Sequence, residues 1–196
     1  MSSPFAPRNE AAVLDLIRAY PLAWVVSGGA GFDATPLPLL PELDADGKLV
    51  SFLGHFAVSN PQVEAFRADP QALLLFKGPD GYISPRLVSN PTWGPTWNYA
   101  VARFHVRIEF VAEDNDLALD ALAASLEGGH PDPWTTARMG PRYTQLRQYI
   151  IAFHAHIDHS RTTFKLGQDE QPHTFEEIVG GLEDDALRQW MRAQRD

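Results

Sequence analysis

The sequence predicts an α+β protein, an antiparallel barrel with helices around it. Several strand patterns precede the first long internal helix, and strands and helices do not alternate in the regular way that winds a parallel sheet. One stretch, Val101 to Val111, alternates without error: Phe104, Val106, Ile108 and Phe110 share one face, and Arg103, His105, Arg107 and Glu109 the other. That strand has one buried and one wet face.

The elements follow in order. Asn9 is a good N-cap, and Val13, Leu14, Ile17 and Tyr20 recur at helical spacing until Pro21 stops the pattern. From Leu22 the period becomes that of strands: Leu22 to Val26, a turn at Gly28-Gly29-Ala30-Gly31, Ala34 to Leu40, a turn at Asp44-Ala45-Asp46-Gly47, and Leu49 to Gly54, together an antiparallel meander. Asn60 caps a short helix with Pro61 at its first position, where the missing N–H costs nothing, and Asp69-Pro70 ends it. Ala72 to Phe76 reads as a strand, Gly78-Pro79-Asp80-Gly81 as a turn and Tyr82 to Ser84 as a continuation. The loop that follows, with Pro85, Pro91, Gly94 and Pro95, is long enough to suggest function. After the alternating strand, Asp116 caps a helix carrying Leu117, Leu119, Leu122 and Leu126, which Gly128-Gly129 ends. Tyr143 to Tyr149 reads as helix and Ile151 to Ile157 as strand, and the tail has helical patterns at Phe175 to Val179 and Asp184 to Gln194, broken by Gly180-Gly181.

At roughly 150 residues per domain, 196 residues suit one large domain, with at most a modest annex. Cysteine is absent, which excludes disulfides, thiol nucleophiles, Fe–S clusters and cysteine-zinc sites, and fits a reducing compartment. The 25 acidic against 16 basic side chains give a charge of −9, which repels nucleic acid backbones at long range. The segment from Met1 to Arg8 shows no signal peptide pattern, and Ala72 to Phe76, the longest strongly apolar run, is too short to cross a membrane. The expectation is a soluble, cytoplasmic protein.

Three segments carry polar groups suited to a ligand. Gly54 to Gln62 delivers His55, Ser59 and Asn60 to a helix start, where free N–H groups and the helix dipole favour an anion; plain capping by Ser59 or Asn60 explains the same pattern. Pro95-Thr96-Trp97-Asn98-Tyr99 places two aromatics beside an amide, a wall for a planar heterocycle or an aromatic packing cluster at a barrel rim. Thr163 to Gln168 offers Lys165 and Gln168 after a strand, for phosphate or carbonyl contacts or simply for water.

Taken together, these segments resemble the PaiB-type FMN-binding negative transcriptional regulators. The resemblance runs in order through Leu37-Pro38-Leu39-Leu40, Gly54-His55-Phe56-Ala57 to Asn60-Pro61-Gln62, Phe76-Lys77-Gly78-Pro79 with Tyr82-Ile83-Ser84-Pro85, Pro95-Thr96-Trp97-Asn98-Tyr99, Lys165-Leu166-Gly167-Gln168 and Ile178-Val179-Gly180-Gly181-Leu182. It implies an antiparallel Greek-key split β-barrel with peripheral helices, residues 1–170 forming the barrel and residues 171–196 a helical tail packed on it. It implies FMN as cofactor and a homodimer with FMN between subunits. It implies that the phosphate meets His55, Ser59 and Asn60, that Ser84, Pro85, Trp97 and Asn98 lie near the ring or ribityl chain, and that Lys165 and Gln168 close the site. The chain departs from the family pattern at Pro36, at Leu87 and Val88, and at Gly167 and Asp169, and the Asp169 carboxylate would repel a phosphate, which points to weaker FMN binding or an altered pocket.

Other readings stand beside this one. The fold resemblance allows a flavin-dependent oxidoreductase using a nicotinamide cofactor, although no proton donor stands out, and related split barrels keep haem binding open. His154 and His156 share one strand face, where solvation is expected rather than a metal site. Arg188, Arg192 and Arg195 form a basic stripe on the last helix, but Glu176, Glu177, Glu183, Asp184 and Asp185 crowd it, so direct DNA binding is not expected.

Overall fold

A computed structural model describes residues 3–29 and 31–195. Ala30 of the expected first turn, and Met1 and Ser2 of the N-terminal segment, lie outside them. The described chain forms six helices, α1 (Glu10–Ala19), α2 (Pro61–Ala68), α3 (Asn115–Glu127), α4 (Pro141–Leu146), α5 (Pro172–Gly181) and α6 (Asp185–Arg195). Its seven strands are β1 (Leu22–Ser27), β2 (Asp33–Pro38), β3 (Leu40–Leu43), β4 (Leu49–Ala57), β5 (Gln71–Ile83), β6 (Thr96–Phe110) and β7 (Ile150–Lys165). The described residues divide between two compact units, a barrel unit within 21–75 and 103–160 and a helical unit within 1–20, 76–102 and 161–196, with β5, β6 and β7 each having residues in both.

The strand order of the seven-stranded sheet is β2, β1, β5, β6, β7, β4, β3. The expected meander is therefore corrected: β1 with β2 and β3 with β4 are antiparallel hairpins at opposite ends of the order. Only Leu39 separates β2 from β3. Strands stand about 4.8 Å apart, so the edges of a flat seven-stranded sheet would lie about 29 Å from each other, which one residue cannot bridge. The sheet must curl until its edges meet, and Leu39 is fully buried at that corner. Phenylalanines fill the interior: Phe52 meets Phe104 edge-on at 4.9 Å, and Phe56 packs on Phe153 at 5.0 Å. The alternation on β6 holds, with Phe104, Val106 and Ile108 buried and His105, Arg107 and Glu109 exposed.

Helix α3 differs from its expected form. It begins at Asn115 rather than after Asp116, and of its apolar residues only Ala118 is fully buried, while Leu117 and Leu126 are exposed. Its packing rests on small side chains, Ala118 and Ala121 against Leu53 and Ala152, because only these let the helix approach the sheet closely.

In the helical unit, Asn9 caps α1 by accepting the Ala12 N–H at 2.9 Å, as its sequence predicts. The expected turn at residues 78–81 does not form, and β5 runs straight through it. Its glycines serve close packing instead. Leu16 Cδ1 occupies the place a Gly78 Cβ would take, and Leu187 Cδ2 would lie 2.8 Å from a Gly81 Cβ. The α6 residue Trp190 packs between Tyr20 and Phe164 at 6.1 and 5.9 Å. Among the described residues no helix is long and apolar enough to cross a membrane.

Candidate functional site

The barrel unit holds the first cluster. Asn60 caps α2 with its Oδ1, accepting the Gln62 N–H at 2.9 Å, and donates from Nδ2 to Thr35 Oγ1 at 2.9 Å. Pro61 has no N–H to offer, and the Val63 N–H reaches the Asn60 carbonyl at 3.0 Å. The donors of this helix start are thus already paired, and the side chain of Asn60 is committed to the scaffold. Gln62 completes it. Fully buried, its Nε2 lies 3.0 Å from Val25 O, 3.1 Å from Ser27 Oγ and 3.1 Å from Asp33 O, so the amide ties β1 and the start of β2 to α2. Its Oε1 is buried without a partner among the described residues.

What stays open to a ligand there is smaller. Ser59 is exposed in the preceding turn. His55 lies opposite Ala152 in the β4/β7 ladder, half-buried, and burial alone pushes its pKa below the ordinary 6.5, so the ring is neutral at pH 7. A neutral imidazole can donate one hydrogen bond and accept one.

The helical unit holds the second cluster. Trp97 and Asn98 enter on β6, which begins at Thr96, and consecutive strand positions send them to opposite faces. Asn98 points inward, buried, with Nδ2 3.6 Å from the Met191 sulfur. Trp97 is half exposed, and its Nε1–H donates to Asp80 Oδ2 at 2.9 Å. Asp80 in turn pairs with Lys77 Nζ at 2.7 Å. That hydrogen bond, ahead of the one from Trp97, holds the Asp80 carboxyl below the usual carboxylate range. Tyr82, half exposed, stands with its ring 6.1 Å from Trp97. Lys77, Asp80 and Tyr82 were not singled out from the sequence as site residues. The misread turn hid them, because a continuous β5 is what places Asp80 beside Trp97.

The remaining expected residues of this unit are largely structural. Ser84 Oγ accepts the Arg86 N–H at 3.2 Å and opens a single 3₁₀ turn at Pro85–Leu87. Beyond it, Glu177 accepts the Ser89 N–H at 3.1 Å and Glu170 accepts the Trp93 indole N–H at 3.1 Å, so the long loop is pinned at two points. Lys165 donates to Thr96 Oγ1, and Gln168 folds back on its own turn, accepting from Leu166 N at 2.7 Å and donating to Phe164 O. Gly167 has φ +84°, in the left-handed region, and Met191 and Phe175 would lie 3.3 Å from a Cβ there, so this departure from the family pattern suits the backbone. Asp169 is exposed. The basic stripe of α6 is spent within the unit: Arg188 pairs with Asp185, Arg192 with Glu176 at 3.2 Å, and Arg195 lies over the Phe175 ring at 4.3 Å.

Comparison with known proteins supplies a family. Residues 1–159 match a family model described as "Putative FMN-binding domain". The chain is 26% identical over 155 residues to the protease synthase and sporulation protein PAI 2 of Bacillus subtilis (strain 168), covering 78% of this chain and 73% of that one. Among solved structures it is similar to an FAD and heme binding protein from Mycobacterium smegmatis, with TM-score 0.59 and 18% identity over 89% of this chain and 78% of the other. It is also similar to the flavocytochrome Anf3 from Azotobacter vinelandii, with TM-score 0.61 and 15% identity over 80% of this chain and 67% of the other. At such identities the two structures speak for the fold, an α+β split barrel.

Proposed function

Because this chain belongs to the FMN-binding domain family of the PaiB type, and is a split-barrel protein that binds FMN, we propose that its flavin contacts centre on Trp97. The observation that carries this reading is the chain of contacts from Lys77 through Asp80 to Trp97 Nε1. It fixes the indole in place while leaving half of its surface open, beside an equally open Tyr82. A preordered aromatic surface binds a planar heterocycle without first giving up side-chain freedom.

The residues present fit a flavin. Trp97 and Tyr82 offer the ring apolar area, and Lys77 and Lys165 are cations suited to carbonyl or phosphate oxygens. Ser84 and Pro85 shape the neighbouring turn, while Asn98 and Gln168 act as inward props. By the family resemblance His55 and Ser59 take the phosphate, and Asn60 supports them by fixing their turn. Bound FMN supplies electron and hydride transfer. The side chains orient it: Asp80, held ionised by Lys77, keeps no proton near neutral pH and serves as an acceptor that positions Trp97 rather than as an acid.

A homodimer and a cytoplasmic location complete the reading, the latter supported by the lack of cysteine. Titrating FMN into the purified protein tests it. Saturable perturbation of the flavin absorbance is expected, and unchanged spectra at high protein concentration would refute it. Anaerobic NADPH then separates the alternatives: rapid bleaching marks an oxidoreductase, and stable binding without reduction marks a binding or sensing module.

A further inference from the structure

The wet face of the barrel unit holds an arrangement the flavin reading does not use. His154, on β7, has Nδ1 2.8 Å from Glu42 Oε2 on β3 and Nε2 3.0 Å from Asp114 Oδ2 in the turn before α3. A neutral imidazole carries one N–H, so it can donate to only one of two carboxylates and must turn a lone pair on the other. Both contacts hold together only when the ring is an imidazolium. We infer that His154 is a pH-sensitive latch, which in its protonated form ties the start of α3 to the barrel and on losing its proton releases the Asp114 side.

The yielding side follows from how each carboxylate is held. Glu42 pairs opposite Ser51 in the β3/β4 ladder, next to a register shift at Glu42/Leu43, and accepts the Ser51 hydroxyl at 2.5 Å, so it has a second donor. Asp114 lies in a single 3₁₀ turn and has no further side-chain donor among the described residues. Other groups around the imidazole are accounted for. His156, two residues along β7 and also opposite Ser51, stacks at 6.2 Å and is itself bonded to Glu109 on β6 at 2.7 Å. Leu53 on β4, the ladder partner of His154, is apolar and buried. Burial of the ring lowers its pKa, and the hydrogen bonds and charges of Glu42 and Asp114 more than reverse this, leaving it above the ordinary 6.5.

A group whose folded pKa lies above its unfolded value stabilises the fold fully at acid pH, and that contribution is lost as pH rises from 6.5 through the folded value. The segment it holds has other anchors that do not involve His154. Helix α3 rests on Ala118 and Ala121; Asn115 accepts Ala152 N at 2.7 Å and donates to Ile150 O at 3.1 Å, Val111 N–H donates to Ala152 O at 2.9 Å, and Asp116 accepts the Tyr143 hydroxyl at 2.7 Å and pairs with Arg147 at 2.6 Å. These contacts keep the segment from leaving altogether, so the device loosens the start of α3 rather than unfolding it.

Histidine-ring NMR and amide hydrogen exchange on the full chain, between pH 5 and 9, test the latch. Wild type is expected to keep both ring nitrogens of His154 protonated above pH 6.5, and α3 exchange, corrected for its intrinsic pH dependence and referenced to α1, is expected to rise severalfold as the ring deprotonates. Asp114→Asn, which can donate to a neutral ring, is expected to lower the His154 midpoint and flatten the α3 response, with circular dichroism unchanged. A second variant, Glu42→Gln, guards against misfolding of the first and is expected to lower the midpoint as well. A wild-type midpoint at or below 6.5, or titration of His154 with no change in α3 exchange, would overturn the proposal.

Discussion

At the start of α2, polar side chains are turned on the protein itself: Asn60 caps the helix and holds Thr35, and Gln62 holds two strands. Around Trp97, polar side chains hold an aromatic residue open to solvent: Lys77 fixes Asp80, and Asp80 fixes the indole edge while half its surface stays free. Both groups lie in segments rich in ligand-type residues. The first uses its hydrogen bonds to join elements, and the second uses them to hold an indole edge whose face stays open. On the proposed reading Trp97 serves the flavin because its neighbours position it without covering it.

Substitution at Gln62 has the largest expected effect. Gln62→Ala strands the Val25 and Asp33 carbonyls and opens a cavity, so a loss of about 2–3 kcal/mol is expected in chemical denaturation. FMN affinity at temperatures where the variant is folded should change little. Asn60→Ala removes one cap and one side-chain bond and should cost about 1 kcal/mol by the same measurement. The smallest effect concerns His55. Its lowered pKa means that the unfolded chain binds a proton more readily, so this residue's contribution is present above pH 6.5 and fades as pH falls below it. Replacing His55 with Gln should flatten the acid side of a stability-versus-pH curve, and an unaltered slope would show that the ring is not the group responsible.

Much of this was legible in the sequence. The caps at Asn9 and Asn60 could be read because capping is local, fixed by residues within three positions of the helix start. The alternation on β6 could be read because its two faces meet different solvents. The split of the expected meander could not, since the long-range pairing of β4 with β7 leaves no local trace. Residues 78–81 misled because glycine and proline mark turns in most contexts, while here the glycines make room for Leu16 and Leu187 on α1 and α6. For the same reason Trp97 was found but its partner Asp80 was not. The leucines of α3 fit a core-facing pattern, yet the helix meets the sheet through alanines, and composition alone does not rank which stripe is buried.

The most direct measurement is the FMN affinity of wild type against Trp97→Ala, read by flavin fluorescence with thermal unfolding alongside. Loss of one preordered aromatic contact should weaken FMN about tenfold, roughly 1.4 kcal/mol, while the protein stays folded with a modest fall in melting temperature from the lost Asp80 bond and half-buried ring. Equal affinity for the two proteins, with both folded, would contradict the placement of the flavin contacts at Trp97.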